Sequence, residues 1–151
     1  MTDEFILEVK GLKKYFQAGT PGLFSRNEQF VHAVDGVDLQ LRRGEVIALV
    51  GESGCGKSTL SLTLMGLEEA TEGTILFEGR DITHLNDHER KSVRAKIQMV
   101  FQDPYESLNP TQTIETIVTE PLIVHSIASG PDERRDRVLR ALEDAGLKPA
   151  E

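Results

Sequence analysis

The feature that most constrains this chain is the glycine-rich run Gly51-Glu52-Ser53-Gly54-Cys55-Gly56-Lys57-Ser58, which fits the pattern G-x-x-x-x-G-K-[ST]. The five residues before it, 46–50, are all apolar, as in a central strand of a parallel sheet that is covered on both faces. Leu60, Leu64 and Leu67 follow it at helical spacing. The order of strand, glycine loop and helix predicts an α/β fold whose loop binds phosphate groups.

The chemistry of such a loop depends on its residue types. Glycines let consecutive backbone N–H groups curl around an anion, and the following helix points its unpaired amides at the same place. Lys57 supplies a mobile cation for the β and γ phosphates, and the Ser58 hydroxyl can ligate Mg²⁺. The candidate nucleotide-binding residues of this segment are Gly51, Glu52, Ser53, Gly54, Cys55, Gly56, Lys57, Ser58 and Thr59. A strand-to-helix turn without a ligand is the alternative interpretation.

Other segments predict shorter elements. Residues 5–9, 74–77 and 97–101 are rich in β formers, and 37–41 alternate between apolar and polar side chains. Residues 17–27 hold glycine, proline and serine and predict a long loop. Asn86 with Glu89 predicts a capping box that opens a helix through residue 96. Thr113 predicts the cap of a helix that Pro121 ends or kinks, and a last helix is expected from Pro131 to a stop at Gly146.

Composition excludes several classes of function. The net charge of −8 and the pI near 5.0 argue against sequence-independent binding of nucleic acid, because such binding needs clustered cations. The longest apolar run is only 46–50, whereas a membrane helix needs ~20 residues. The acidic N-terminus lacks the pattern of a signal peptide. A single cysteine, Cys55, cannot form an internal disulfide, which fits the reducing cytosol.

Two flanking patterns narrow the type of phosphate-binding protein. Tyr15 and Phe16 lie ahead of the loop in the pattern Leu12-x-Lys14-x-Phe16, and Gln102 follows the apolar segment 97–101, 45 residues after Lys57. With the glycine loop, they resemble the nucleotide-binding domain of ABC transporters. The strings GESGCGKST and VFQDPYESLNP are similar to the ATP-binding subunits of oligopeptide, dipeptide and nickel importers.

The resemblance implies roles for individual residues. Phe16 would stack on adenine, with Tyr15 as the neighbouring candidate and a core aromatic as the plain alternative. Gln102 would help Ser58 to hold Mg²⁺ and would support catalysis by holding the attacking water; it could also be a polar residue that merely ends a strand. Residues 103–110 and the helix after them would receive the permease's coupling helix. ATP and Mg²⁺ are the implied cofactors.

The family also implies a fold and its division. We expect an α/β P-loop NTPase core of the ABC ATPase type, with an N-terminal antiparallel β subdomain and the start of a helical subdomain, all within one truncated domain, 1–151. The expected parts are 1–50 for the strands leading to the loop, 51–102 for the core and 103–151 for the helical part. No LSGGQ-like signature, Walker B strand or switch histidine occurs in the 151 residues. We therefore expect an exposed apolar edge or face, association or poor stability, weak nucleotide binding and little hydrolysis by this chain alone.

The function implied is that of an ATP-binding subunit that couples hydrolysis to the uptake of peptides or similar solutes. Its partners would be transmembrane permease subunits, a second ATP-binding subunit and, indirectly, a solute-binding protein, at the cytoplasmic side of the inner membrane. Three alternatives stay open: another P-loop NTPase, a nucleotide-binding module that never hydrolyses, and an ABC ATPase of DNA repair. The acidic balance and the 102–110 loop argue against the repair enzyme.

Overall fold

The computed structural model describes residues 5–18, 29–101 and 108–147. The chain divides into two compact units, Met1–Ile97 and Gln98–Glu151. In the described part of the first unit, the elements in chain order are β1 (Phe5–Ala18), β2 (Gln29–Arg42), α1 (Lys57–Leu64), β3 (Glu72–Phe77), β4 (Arg80–Asp81) and α2 (Asp87–Arg94). The described part of the second contains α3 (Ile114–Val124) and α4 (Pro131–Asp144).

The first unit is built on an antiparallel sheet with the strand order β2-β1-β3-β4. In β2, Val37, Leu39 and Leu41 are half-buried while the residues between them are exposed, so the predicted alternation is confirmed. The hairpin between β3 and β4 turns at Glu78 and Gly79, whose φ values of 49° and 76° fit a two-residue turn of the kind that matches sheet twist.

One hydrophobic core lies between this sheet and the helices of the first unit. Its buried members come from β1, β2, α1, β3 and the segments beside them: Val9, Leu12, Val34, Leu60, Ala70, Ile75, Phe77 and Ile82. Leu12 and Val9 are almost completely inaccessible to solvent, which places β1 at the centre. Burial of these side chains provides the main stabilising free energy of the unit.

Local signals set the helix ends of the first unit. The Asn86 side chain accepts a hydrogen bond from the Glu89 amide, and the Glu89 carboxylate accepts one from the Asn86 amide, which confirms the capping box of α2. α1 ends before Gly66, whose φ of 63° permits the closing bond from the Leu67 amide to the Leu62 carbonyl. Leu67 therefore lies outside the helix and is half exposed, which corrects the predicted three-leucine face.

The second unit pairs two helices. Thr113 caps α3 by accepting from the Thr116 amide, and Pro131 is the first residue of α4, both as predicted. Gly146, with φ of 77°, confirms the predicted stop of α4. Pro121 does not end α3, which continues to Val124; one missing amide is outweighed by the bonds on either side of it. Val138 is the buried residue of α4.

Three strand expectations are wrong in detail. Residues 46–50 and 97–101 form no strand, and among the described residues they have no ladder partner. An extended segment needs a neighbouring strand for its N–H and C=O groups, and an apolar composition does not provide one. Val46 and Val50 are each 92% exposed and Val100 is 95% exposed, so the expected exposure of apolar surface is confirmed. β1 runs on through the Lys14–Phe16 pattern, which the sequence had placed after a short strand.

Candidate nucleotide-binding site

The glycine loop leads directly into the N-terminus of α1. Gly56 is the N-cap residue, with φ of 94°, and provides no side-chain cap, while Lys57 is the first helical residue. Gly54 also has a positive φ, 82°, a backbone conformation that other residues rarely adopt. Ser58 is exposed on the first turn. The loop thus ends at a helix start whose amides and dipole favour an anion.

The Lys57 ammonium folds back across the loop. Its Nζ donates to the Gly51 carbonyl at 2.8 Å and to the Glu52 carbonyl at 2.7 Å, and lies 3.4 Å from the Cys55 sulfur. A Cβ added to Gly51 would lie 2.6 Å from that sulfur and 3.9 Å from Nζ, so a side chain there would fill the space within the loop. The arrangement therefore brings a cation and the N-terminus of α1 together at one turn of the backbone.

A bulge of β2 fixes the end of this loop. Lys14 pairs with Val34 and Tyr15 with His32, which leaves Ala33 as an extra residue on β2. A Cβ on Gly56 would lie only 2.0 Å from the Ala33 carbonyl oxygen. Close backbone approach at this point therefore joins the phosphate loop to the β1–β2 pair. The sequence carries no signal for this bulge, because it depends on the register between two strands.

The two aromatic candidates of β1 differ in their surroundings. Tyr15 stacks on His32, with ring centroids 3.9 Å apart, and donates its hydroxyl hydrogen to Asp35 at 2.6 Å. That hydrogen bond raises the pKa of Tyr15 and lowers the pKa of Asp35. Phe16 pairs with Val31 and is 38% exposed, with the Lys14 ammonium 4.6 Å from its ring centroid. Tyr15 is thus already engaged, whereas much of Phe16 faces solvent.

Along the ladder, Val31 and the Ala33 bulge are two residues apart, about 7 Å at ordinary strand rise. The structure therefore places Phe16 near the strand segment that contacts the phosphate loop. Gln102, the remaining predicted site residue, lies outside the described residues, as does most of the loop that follows it.

Within the described ranges, no three or more of the His, Cys, Asp and Glu side chains come together as a metal site. A Mg²⁺ ion bound with nucleotide phosphates needs few protein ligands, since water and phosphate oxygens supply the others. Ser58, which is exposed on the first turn of α1, is the residue for which such a role is predicted. Over the same ranges, no helix has both the length and the apolar character needed to cross a membrane.

Sequence comparison finds relatives along nearly the whole chain. It is 49% identical over 148 residues to the oligopeptide transport ATP-binding protein AppF of Bacillus subtilis, covering 97% of this chain and 44% of that protein. It is 48% identical over 144 residues to the dipeptide transport ATP-binding protein DppF of Haemophilus influenzae, covering 95% and 43%. The chain therefore spans less than half the length of these curated relatives.

Structure comparison also finds ATP-binding cassettes. The ATP-binding cassette MJ0796, in a dimeric post-hydrolysis state bound to ADP and Pi, matches with a TM-score of 0.76 and 29% identity. The match covers 94% of this chain and 58% of that one. The likeness supports the α/β ABC ATPase fold with its antiparallel β part. Residues 34–151 match the family described as ABC transporter, and the chain belongs to that family.

Proposed function

We propose that this chain supplies the nucleotide-binding loop of an ABC importer's ATP-binding subunit. The observation that carries this is Lys57, whose ammonium closes the turn 51–56 from its inner side at 2.7–2.8 Å from two carbonyls. Those two carbonyls hold the ammonium against the loop. An incoming β or γ phosphate offers it a stronger, charge-assisted partner.

Residues 51–59 would hold the phosphates through backbone amides and the Lys57 cation. Ser58, with Gln102, would hold the Mg²⁺ ion, which when bound supplies neutralisation of the phosphate charge. The hydroxyl lies on the first turn of α1, where the helix N-terminus also faces the anion. Gln102 would support hydrolysis by orienting water; its neutral amide can leave a metal without stranding a buried charge.

Phe16 would carry the adenine. Its ring is more accessible than a core aromatic, and the neighbouring Tyr15 already has a stacked partner and a hydrogen-bonded hydroxyl. Adenine stacking on a free aromatic face is worth about 1–3 kcal/mol. Phe16, rather than Tyr15, is therefore the base-stacking residue of this proposal.

The physiological role would be to couple ATP hydrolysis to the uptake of peptides or similar solutes. Support comes from the relatives, whose names describe oligopeptide and dipeptide transport. A permease would be the membrane partner, a second ATP-binding subunit would complete a pair, and a solute-binding protein would deliver the solute. The subunit would lie on the cytoplasmic face of the inner membrane.

Titration calorimetry with Mg-ATP tests the site directly. Lys57→Ala should weaken binding about 10- to 150-fold, the worth of about 1.5–3 kcal/mol for a charged hydrogen bond. Lys91→Ala, which removes an exposed lysine of α2 and the same charge, is the matched control and should leave the affinity unchanged. Equal affinities for Lys57→Ala and the parent chain would contradict the assignment.

A further inference from the structure

The Lys14 side chain holds an unusual position beneath the candidate adenine platform. Its Nζ lies 4.6 Å from the Phe16 ring centroid and 2.9 Å from Oε2 of Glu68. The Lys14 side chain is only 12% exposed, and a lysine is seldom buried to that extent unless its charge is paired. The ammonium is therefore fixed between a carboxylate and one face of the aromatic ring.

The backbone explains why these three groups meet. Lys14 and Phe16 are two apart on β1, and alternate residues of a strand share a face. Glu68 follows the end of α1, in a segment that is fastened to β1 a few residues later. The Thr71 amide donates to the Lys13 carbonyl at 2.8 Å, and the Tyr15 amide donates to the Thr71 hydroxyl at 2.9 Å. The chain leaving α1 is thus tied to the strand that carries Phe16.

This arrangement has two physical effects on the ring. The cation covers one face and limits the orientations of the ring, so less freedom is lost when a base stacks on it. It also draws π density toward itself, which reduces the repulsion between the negative faces of two stacked aromatic systems. Glu68 is needed for both, since a free lysine side chain samples many rotamers.

We infer that Lys14, held by Glu68, is a positioning residue that orients Phe16 and sets how much the base contributes to nucleotide affinity. The inference rests on the proposed nucleotide-binding function. Lys14 acts through Phe16, not on the phosphates, so its effect should appear with ATP and be absent with a ligand that has no base.

The test compares calorimetric titrations with Mg-ATP and with magnesium tripolyphosphate, which has phosphates only. Lys14→Met keeps the apolar stem and removes the charge; we expect a 2- to 5-fold weaker affinity for ATP and an unchanged affinity for tripolyphosphate. Lys13→Met is the matched control: Lys13 is the preceding lysine, it pairs with Glu72 at 2.8 Å, and its loss should affect neither ligand. Lys14→Arg should restore ATP binding, since arginine can both cover the ring and pair with Glu68.

The outcomes separate the possibilities. A parallel loss with both ligands would mean that Lys14 contacts phosphate or supports the fold, and it would overturn the inference. An equal loss with Lys13→Met would do the same. Glu68→Gln leaves Lys14 unchanged and removes only the charge of its partner. It should weaken ATP binding less than Lys14→Met does and leave tripolyphosphate binding unchanged. This variant replaces Lys14→Met in the test if Lys14→Met shows an altered circular dichroism spectrum. If Lys57→Ala matches the parent chain with both ligands, the proposed function itself fails.

Discussion

The contact between Gly56 and Ala33 gives the sharpest prediction about the phosphate loop. A Cβ at residue 56 would lie 2.0 Å from the Ala33 carbonyl oxygen and 3.2 Å from its carbon. Both neighbours are backbone atoms of β2, so neither can move aside by a rotamer change. In addition, the φ of 94° is a conformation that an alanine adopts at a cost.

The expected size of the effect follows from these two terms. The left-handed backbone costs about 1–2 kcal/mol, and forcing extra volume into a packed contact costs about 1–3 kcal/mol. Gly56→Ala should therefore destabilise the chain by about 2–5 kcal/mol. That is a large share of the ~5–15 kcal/mol by which a domain is stable.

Gly54→Ala is the matched control within the same loop. Its φ is 82°, but a Cβ there would have nothing within 4 Å, so only the backbone cost of about 1–2 kcal/mol applies. Urea unfolding followed by far-ultraviolet circular dichroism measures both variants, which suits a chain without tryptophan. If the two variants unfold at the same urea concentration, the close approach to the β2 bulge is refuted.

Two further predictions concern single side chains. The Cys55 thiol is exposed beside Lys57 and should react with maleimide. Mg-ATP should slow that reaction in the parent chain and not in Lys57→Ala. A labelling rate that is the same with and without Mg-ATP in both proteins would argue against the site. Hydrogen bonds from Lys96 and Arg43 lower the pKa of Glu78 from its usual 4.5, so its stabilising contribution is present above that value and is lost as pH falls through the lowered pKa. Urea midpoints should therefore fall less between pH 6 and pH 3 in Glu78→Gln than in the parent, and identical pH profiles would count against the ion pairs.

Several parts of the fold could be predicted because their causes act within a few residues. The Asn86 capping box, the Thr113 cap, the proline start at Pro131 and the glycine stop at Gly146 each need only a side chain and its neighbouring backbone. The alternation of β2 is likewise local, since it requires only that one face of the strand be covered.

The errors arose where a partner element decides the outcome. The run 46–50 has the composition of a buried strand, yet composition cannot specify which segment pairs with it. β1 proved longer than its apolar start suggested, because β2 and β3 pair with it through residues such as Lys13 and Lys14 that have no apolar signal. Of the two expectations for Pro121, that it ends α3 or kinks it, the first is wrong, because neighbouring hydrogen bonds carry α3 past it to Val124.

The candidate site also has one part that depends on local contacts and one part that depends on strand pairing. The phosphate half is held largely by local bonds, since Lys57 donates to carbonyls five and six residues away, while the approach of Gly56 to Ala33 fixes only its C-terminal end. The base half is not local, since Phe16 lies near the phosphate loop only because β1 pairs with β2 and Ala33 of β2 contacts that loop. Weakening the β1–β2 pair should therefore affect the base end of nucleotide binding before the phosphate end. The comparison of ATP with tripolyphosphate distinguishes these two ends.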